Sequence, residues 1–408
     1  MKENFFKTIT PNKTIFLLSW FLCFSVALPH TILPGKAGSI SILLFILWLF
    51  EGNLKLKIQT LYSSKLFLSI AALILMLLLS LLWTDQLNIG IIRISAFKYY
   101  LLLIPVLITS ISKENALKLI QAFVLGNILH AFLMILLSYG VIYNLPSKLN
   151  LFNPYSVYSP FFVFSSFYCF YYFKHNISNK DIIRGLIYLS CSLLLIYLIF
   201  TNKGRSGQLA FIISALVALA LLHKNWRKTA IFLFVIAVLI ITISISSTKV
   251  KDSYTEAMDD ITEVMEGNYH GSWGVRWGLL VTNYEVIKKN PIIGVGLGDT
   301  QDAMQRVIAR GNNQASYSVA HFDGSHNHYV TILTSAGIIG FIAYILIHVF
   351  LFKLPIKNTK IKHLSLIFLT ILIVTSIVDD ILMYKPYNIY FAIMIALFIN
   401  LSIRHTKE

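Results

Sequence analysis

The sequence predicts an all-α, polytopic integral membrane protein with about twelve transmembrane helices. Three observations predict it. Of the 408 residues, 57% are apolar and only 13% are charged, too little charge to coat a soluble protein of this length. The apolar residues gather in repeated runs bounded by Lys or Arg, as bilayer-crossing helices of roughly 20 residues require. The period-two alternation of a transmembrane β-barrel is absent.

The runs lie near 14–30, 37–50, 66–84, 96–112, 118–139, 158–173, 185–200, 208–222, 229–246, 328–352, 364–378 and 387–403. The first, Thr14 to Leu28, lacks a small-x-small cleavage site and reads as a span, not as a removed leader. Counting Lys and Arg in alternate loops gives 20 in the set that includes both termini and 7 in the short loops of the opposite set. The basic side is expected to be cytoplasmic, with both termini inside. The long segment between spans nine and ten is then outside. The chain divides into an N-terminal bundle over 1–246, an external helical loop over 247–327 and a C-terminal bundle over 328–408.

That loop is too long and too polar for a passive connector. Asp252–Glu266 predicts an amphipathic helix with an acidic face, Trp277–Lys289 a second helix and Asp299–Arg310 a third. Pro291 and the glycines 294, 296 and 298 break the second from the third. The loop is expected to form a small helical cap on the outer mouth of the bundle.

The net charge of +16 sits mostly between spans, where it sets topology, and calls for no nucleic-acid partner. Cys23, Cys169 and Cys191 fall inside apolar runs and suit packing, neither a disulfide framework nor a metal site. No internal repeat relates the two halves of the chain, which counts against a transporter of inverted repeats. Interior charge is nearly absent from the spans, whereas a transporter or lipid flippase needs ionisable groups near the midplane.

The polar groups collect at the external edge. Arg205, in TNKGRSGQLAF, can grip phosphate oxygens bidentately or simply snorkel at the interface. Arg276, between Trp273 and Trp277, carries the same two readings. Two such guanidiniums from separate loops can neutralise a departing pyrophosphate. The G-V-G-L-G run lacks dinucleotide-site spacing, and a tight turn explains it. His326 opens a span and is followed by Asn327. Its imidazole can take a proton from a sugar hydroxyl near neutral pH or simply hydrogen-bond at the interface, with Asn327 and His328 as supporting neighbours. Gly337 and Gly340 suggest a face on which another helix packs closely. Asp379 and Asp380 read as loop carboxylates, solvated or paired with an outer arginine.

These windows resemble the O-antigen ligase family and the superfamily it shares with O-antigen polymerases and protein O-oligosaccharyltransferases. The family pattern is His, then Asn, Ser or Gln, nine residues, then G-x-x-G. His326, Asn327 and Gly337-Ile338-Ile339-Gly340 match it at that spacing. The K-G-R-S-G loop around Arg205, and Arg276 with N-P-I-I-G-V-G-L-G downstream, match further features. The resemblance implies an inverting, metal-independent glycosyltransferase without cofactors, embedded among lipids of the bacterial inner membrane and working on the periplasmic face. Its donor would be a glycan on undecaprenyl pyrophosphate and its acceptor the lipid A–core oligosaccharide, in lipopolysaccharide biosynthesis. His326 would be the catalytic residue, and Arg205 and Arg276 would bind the pyrophosphate. A polymerase or a protein O-oligosaccharyltransferase of the same superfamily is the near alternative, and a lipid-linked glycan flippase the distant one.

Overall fold

The structure, a computed structural model, describes residues 11–28, 37–141, 155–202, 204–222, 248–269, 271–311, 318–319, 321–322 and 324–403. In chain order the helices are α1 (Pro11–Val26), α2 (Ala37–Phe50), α3 (Leu54–Tyr62), α4 (Lys65–Leu79), α5 (Leu87–Ile94), α6 (Lys98–Thr109), α7 (Lys113–Ser138) and α8 (Tyr155–Ser178). They continue as α9 (Ile182–Thr201), α10 (Arg205–Leu222), α11 (Thr248–Met265), α12 (Ser272–Lys289), α13 (Thr300–Ile308), α14 (His328–Phe352), α15 (Thr359–Val378) and α16 (Lys385–Ser402). The chain is a polytopic, all-helical membrane protein.

Among the described residues, seven helical stretches are long and apolar enough to cross a membrane, or eight if α2 and α3, bent by 116°, form one span. The bend falls at Gly52 and Asn53, both at positive φ. Lys57 steadies it by reaching Glu51 Oε2 at 2.7 Å and the Trp48 carbonyl at 2.8 Å. The expected run at 229–246 lies outside the described residues.

α16 sits at the centre and is buried on every side from Pro386 to Asn400, as a helix that is apolar all round must be. Its Tyr390 ring stacks on Phe123 of α7 (4.9 Å between centroids) and lies 4.4 Å from Phe161 of α8. Phe368 of α15 meets Phe391 and Phe398 of the same helix. The last carbonyls of α6 have no partner within their own helix. Asn400 Nδ2 closes that end by donating to the carbonyls of Leu107, Ile108 and Ile111 at 3.1, 3.1 and 2.6 Å.

The segment between α10 and α14 contains the three expected helices and a small apolar core of its own. Leu279, Val286, Ala303, Met304, Val307, Ile308 and Val319 are buried together. α12 begins at Ser272, five residues before the expected Trp277. The reason is long-range: Asp260 of α11 accepts from the Ser272 backbone N–H at 3.1 Å, and a carboxylate suits a helix N-terminus. Arg276 therefore stands inside the first turns of α12, and not ahead of it.

α5 is only eight residues long and is pinned at both ends by the loop before α13. Asp299, 4% exposed, accepts from the backbone N–H groups of Asp85 and Gln86, both at 2.8 Å. At the other end Arg93 Nη1 donates to the Leu297 carbonyl at 2.9 Å and to Thr300 Oγ1. Asp299→Ala would remove two charge-assisted hydrogen bonds ahead of α5, at roughly 1.5–3 kcal/mol each. The expected result is a clearly lower melting temperature in detergent, with Asp299→Asn intermediate because an amide oxygen accepts on one side only.

Candidate active site

The loop from Asn290 to Asp299 builds the site by inserting into a broken helix. α14 is continuous except at Gly337, whose backbone is at φ 61°, ψ −164°. In an unbroken helix the N–H groups of residues 338 and 339 would bond to the carbonyls of 334 and 335. Here the loop takes all four partners. Val295 N–H donates to the Thr334 carbonyl at 2.9 Å and Gly296 N–H to the Ser335 carbonyl at 3.1 Å. In return Ile338 N–H donates to the Pro291 carbonyl at 2.9 Å and Ile339 N–H to the Ile292 carbonyl at 3.4 Å. All four of these freed groups find partners, as a break in apolar surroundings demands.

The glycines make the insertion sterically feasible. A Cβ on Gly337 would fall 2.2 Å from the Ile292 oxygen, and one on Gly294 would fall 2.5 Å from the Ser335 carbonyl carbon. Gly337 therefore does not offer a face to another helix, as the small-residue pattern suggests. It admits the backbone of the Asn290–Asp299 loop, and that loop is more than a turn between helices. The far side of the loop reaches the end of α4, where Leu297 N–H donates to Ser80 Oγ at 3.2 Å. Thr334 Oγ1 also donates to Asn283 Oδ1 of α12 at 3.0 Å. The arginine-bearing helix, the glycine loop and the histidine-bearing helix are thus locked into one unit.

His326 precedes α14 in a left-handed conformation, φ 45°, which is costly for a residue with a side chain. Its neighbours hold it there. Ser325 Oγ donates to the Asn327 carbonyl at 3.0 Å, and Asn327 Oδ1 caps α14 by accepting from Val330 N–H at 3.2 Å. The imidazole is 36% exposed, with Nδ1 3.4 Å from Asp379 Oδ1. Asp379 is fixed in turn by Asp380 N–H, which donates to the same oxygen at 2.8 Å.

His328 is wholly buried and pairs through Nδ1 with Asp380 Oδ1 at 2.8 Å. Thr331 Oγ1 donates to the other oxygen of that carboxylate at 2.6 Å. The two neighbouring carboxylates at the end of α15 are therefore not solvated loop charge. Each faces one histidine of the H-N-H motif, one pair half-exposed and the other sealed.

The two arginines approach from α10 and α12. Arg205 forms an ion pair with Glu256 of α11 at 3.5 Å. Arg276 Nη1 donates to the Ser272 carbonyl at 3.1 Å and to Ser272 Oγ. Burial pushes the Arg276 guanidinium below its ordinary value. The Asp379 carboxylate opposes that shift, the Arg205 charge adds to it and Asp260 opposes it. Arg276 thus stands within electrostatic reach of both Arg205 and the carboxylate that faces His326. Asn327 and His328 hold the helix start and the buried pair, respectively.

Beside His326 lies a cavity of about 390 Å³. Its walls include Arg93, Asn283, Thr300, Ser325, Thr334, Asp380 and Tyr384. The sequence gives no site role to Arg93 or Asp299, and it leaves Asp379 and Asp380 as loop carboxylates, where the structure sets them against His326 and His328. The available signals were an arginine on the loop side poor in basic residues and a carboxylate pair closing an apolar helix. Among the described residues, no group of three or more His, Cys, Asp or Glu is placed to hold a metal ion.

Fold and site together define a polytopic helical membrane protein with a histidine–carboxylate pair and two guanidiniums gathered around one end of the bundle. Residues 190–345 match the model of the O-antigen ligase family, the family that the His326 motif resembles. The matched stretch contains Arg205, Arg276, the glycine loop and most of α14. The chain is also 25% identical over 219 residues to the O-antigen ligase of Escherichia coli (strain K12). That alignment covers 52% of this chain and 50% of the relative, so the chain spans about half the length of the curated protein it matches.

Proposed function

We propose that the protein is an O-antigen ligase, a glycosyltransferase that moves a glycan from undecaprenyl pyrophosphate to lipid A–core oligosaccharide on the periplasmic face of the bacterial inner membrane. The observation that carries this reading is the His326–Asp379 pair, with the Arg276 guanidinium in electrostatic reach of Asp379 and of Arg205.

An acceptor hydroxyl oxygen attacks the anomeric carbon of the donor sugar and forms the new glycosidic bond. The bond from that carbon to the pyrophosphate oxygen breaks, and its electron pair leaves with the lipid pyrophosphate. Attack opposite the leaving group inverts the anomeric centre. With Nδ1 turned to Asp379, His326 uses Nε2 to take the hydroxyl proton, and the carboxylate stabilises the imidazolium that forms. Arg205 and Arg276 meet the negative charge that grows on the departing pyrophosphate. Both substrates are lipid-linked, so a site at the rim of a bundle receives them from the bilayer.

The decisive experiment combines purified protein, lipid-linked glycan and separate acceptors, with product resolved on a gel. Glycan appearing on lipid A–core supports the ligase reading. Glycan appearing only on a second lipid-linked glycan identifies a polymerase instead. Arg205→Lys and Arg276→Lys should each lower kcat/KM for the donor by about tenfold or more, because a point charge does not reproduce the planar fork. Wild-type donor kinetics in both lysine variants would argue against bidentate gripping.

A further inference from the structure

The cavity beside His326 is walled by none of the residues assigned to the donor pyrophosphate. Arg205 and Arg276 are absent from its lining, while His326 is part of it. We propose that this cavity is the acceptor-sugar subsite: it holds the hydroxyl-bearing sugar ring whose oxygen attacks, while the donor pyrophosphate stays outside it with the two arginines. The inference rests on the glycosyltransferase reading above and adds where the second substrate sits.

Size, polarity and charge agree. At about 390 Å³ the cavity falls within the range of small-ligand sites, roughly 300–1,000 Å³. That suits one sugar unit with its neighbours and not a long glycan. Its polar wall groups are mainly neutral: the amide of Asn283 and the hydroxyls of Thr300, Ser325 and Thr334. Such groups both donate to and accept from sugar hydroxyls. Ile92, Met304, Met383 and Tyr384 supply apolar surface for the C–H face of a ring.

Charge separates the two substrates. Asp380 is part of the wall, and its negative charge there disfavours a diphosphate, while its two oxygens are held by His328 and Thr331. Arg93 also lines the cavity, but its Nη1 is directed to the Leu297 carbonyl and Thr300. That arrangement fixes the wall between α5 and the glycine loop. An acceptor ring seated in the cavity would lie against the His326 imidazole, the group that takes its proton.

Two-substrate steady-state kinetics on the purified full-length protein test this, with lipid-linked glycan as donor and lipid A–core as acceptor. Ile92→Trp narrows the cavity from a residue that is 70% exposed, so the core is not overpacked. Ala96→Leu narrows it from the next turn. Both variants should raise KM for the acceptor about tenfold while leaving KM for the donor within about twofold of wild type. A rise in donor KM with acceptor KM unmoved, or wild-type values for both substrates in both variants, overturns the cavity assignment alone. Wild-type protein that forms no product with any acceptor overturns the functional reading and this inference with it.

Discussion

Gly337→Ala is expected to abolish glycan transfer and to lower the melting temperature sharply. At φ 61°, ψ −164° the residue occupies a region of backbone space that is essentially glycine's own, and a side chain there costs roughly 1–3 kcal/mol. The collision is worse than the strain. The new methyl would meet the Ile292 oxygen at 2.2 Å, its carbonyl carbon at 2.3 Å and the Ile293 nitrogen at 2.6 Å. These are backbone atoms of the inserted loop, and they cannot rotate away. Moving them breaks the four hydrogen bonds that replace two helical ones, and the loop also carries the ties to Ser80, Asp85 and Gln86. Gly52→Ala is the control. It has the same kind of positive φ, 84°, but nothing lies within 4 Å of its added Cβ. That variant should lose about 1 kcal/mol and keep its activity. A Gly337→Ala protein that melts and transfers like wild type would show that the interlock does not hold the site together.

This interlock also marks the limit of what the sequence could disclose. Spans are legible because bilayer thickness sets a length and the apolar run reports it directly, as in α7 and α14. The start of α12 is not legible because the carboxylate at its N-terminus, Asp260, comes from another helix, and no local pattern encodes that. Gly337 and Gly340 were legible as small residues beside a span. That one of them breaks the helix was not, since a helix-packing glycine and a helix-breaking glycine look alike until the partner backbone is known. His326, Arg205 and Arg276 stood out because charged or titratable groups are scarce at the edge of an apolar bundle. Asp379 and Asp380 stood beside a basic residue, Lys385, in a loop where solvation is the ordinary expectation. Only the approach of α15 to the start of α14 turns them toward the histidines.

His326→Ala should eliminate measurable transfer, by about 10²–10⁴-fold, the usual contribution of a general acid–base group, without loss of fold. Its imidazole is 36% exposed, 3.4 Å from Asp379 and edge-on to Phe322 with centroids 5.7 Å apart, so truncation opens no core cavity. The backbone turn is held by Ser325 and Asn327, which remain. His328→Ala is the necessary counterpart. That ring is fully buried, bonded to Asp380 at 2.8 Å and packed edge-on against Tyr344 with centroids 5.0 Å apart. Its loss leaves a buried carboxylate short of a partner and a void in the core, so the melting temperature should fall by several degrees. Turnover should survive in whatever fraction stays folded. The pair of variants therefore crosses over: one inactive and stable, the other destabilised and active. The reverse pattern, with His326→Ala fully active and the folded fraction of His328→Ala inert, would transfer the base role to the sealed histidine and to Asp380. The proton would then leave the acceptor by way of Asp380 and His328 instead of to His326, and Arg276, which responds to the charge of Asp379, would lose its link to the proton-transfer step.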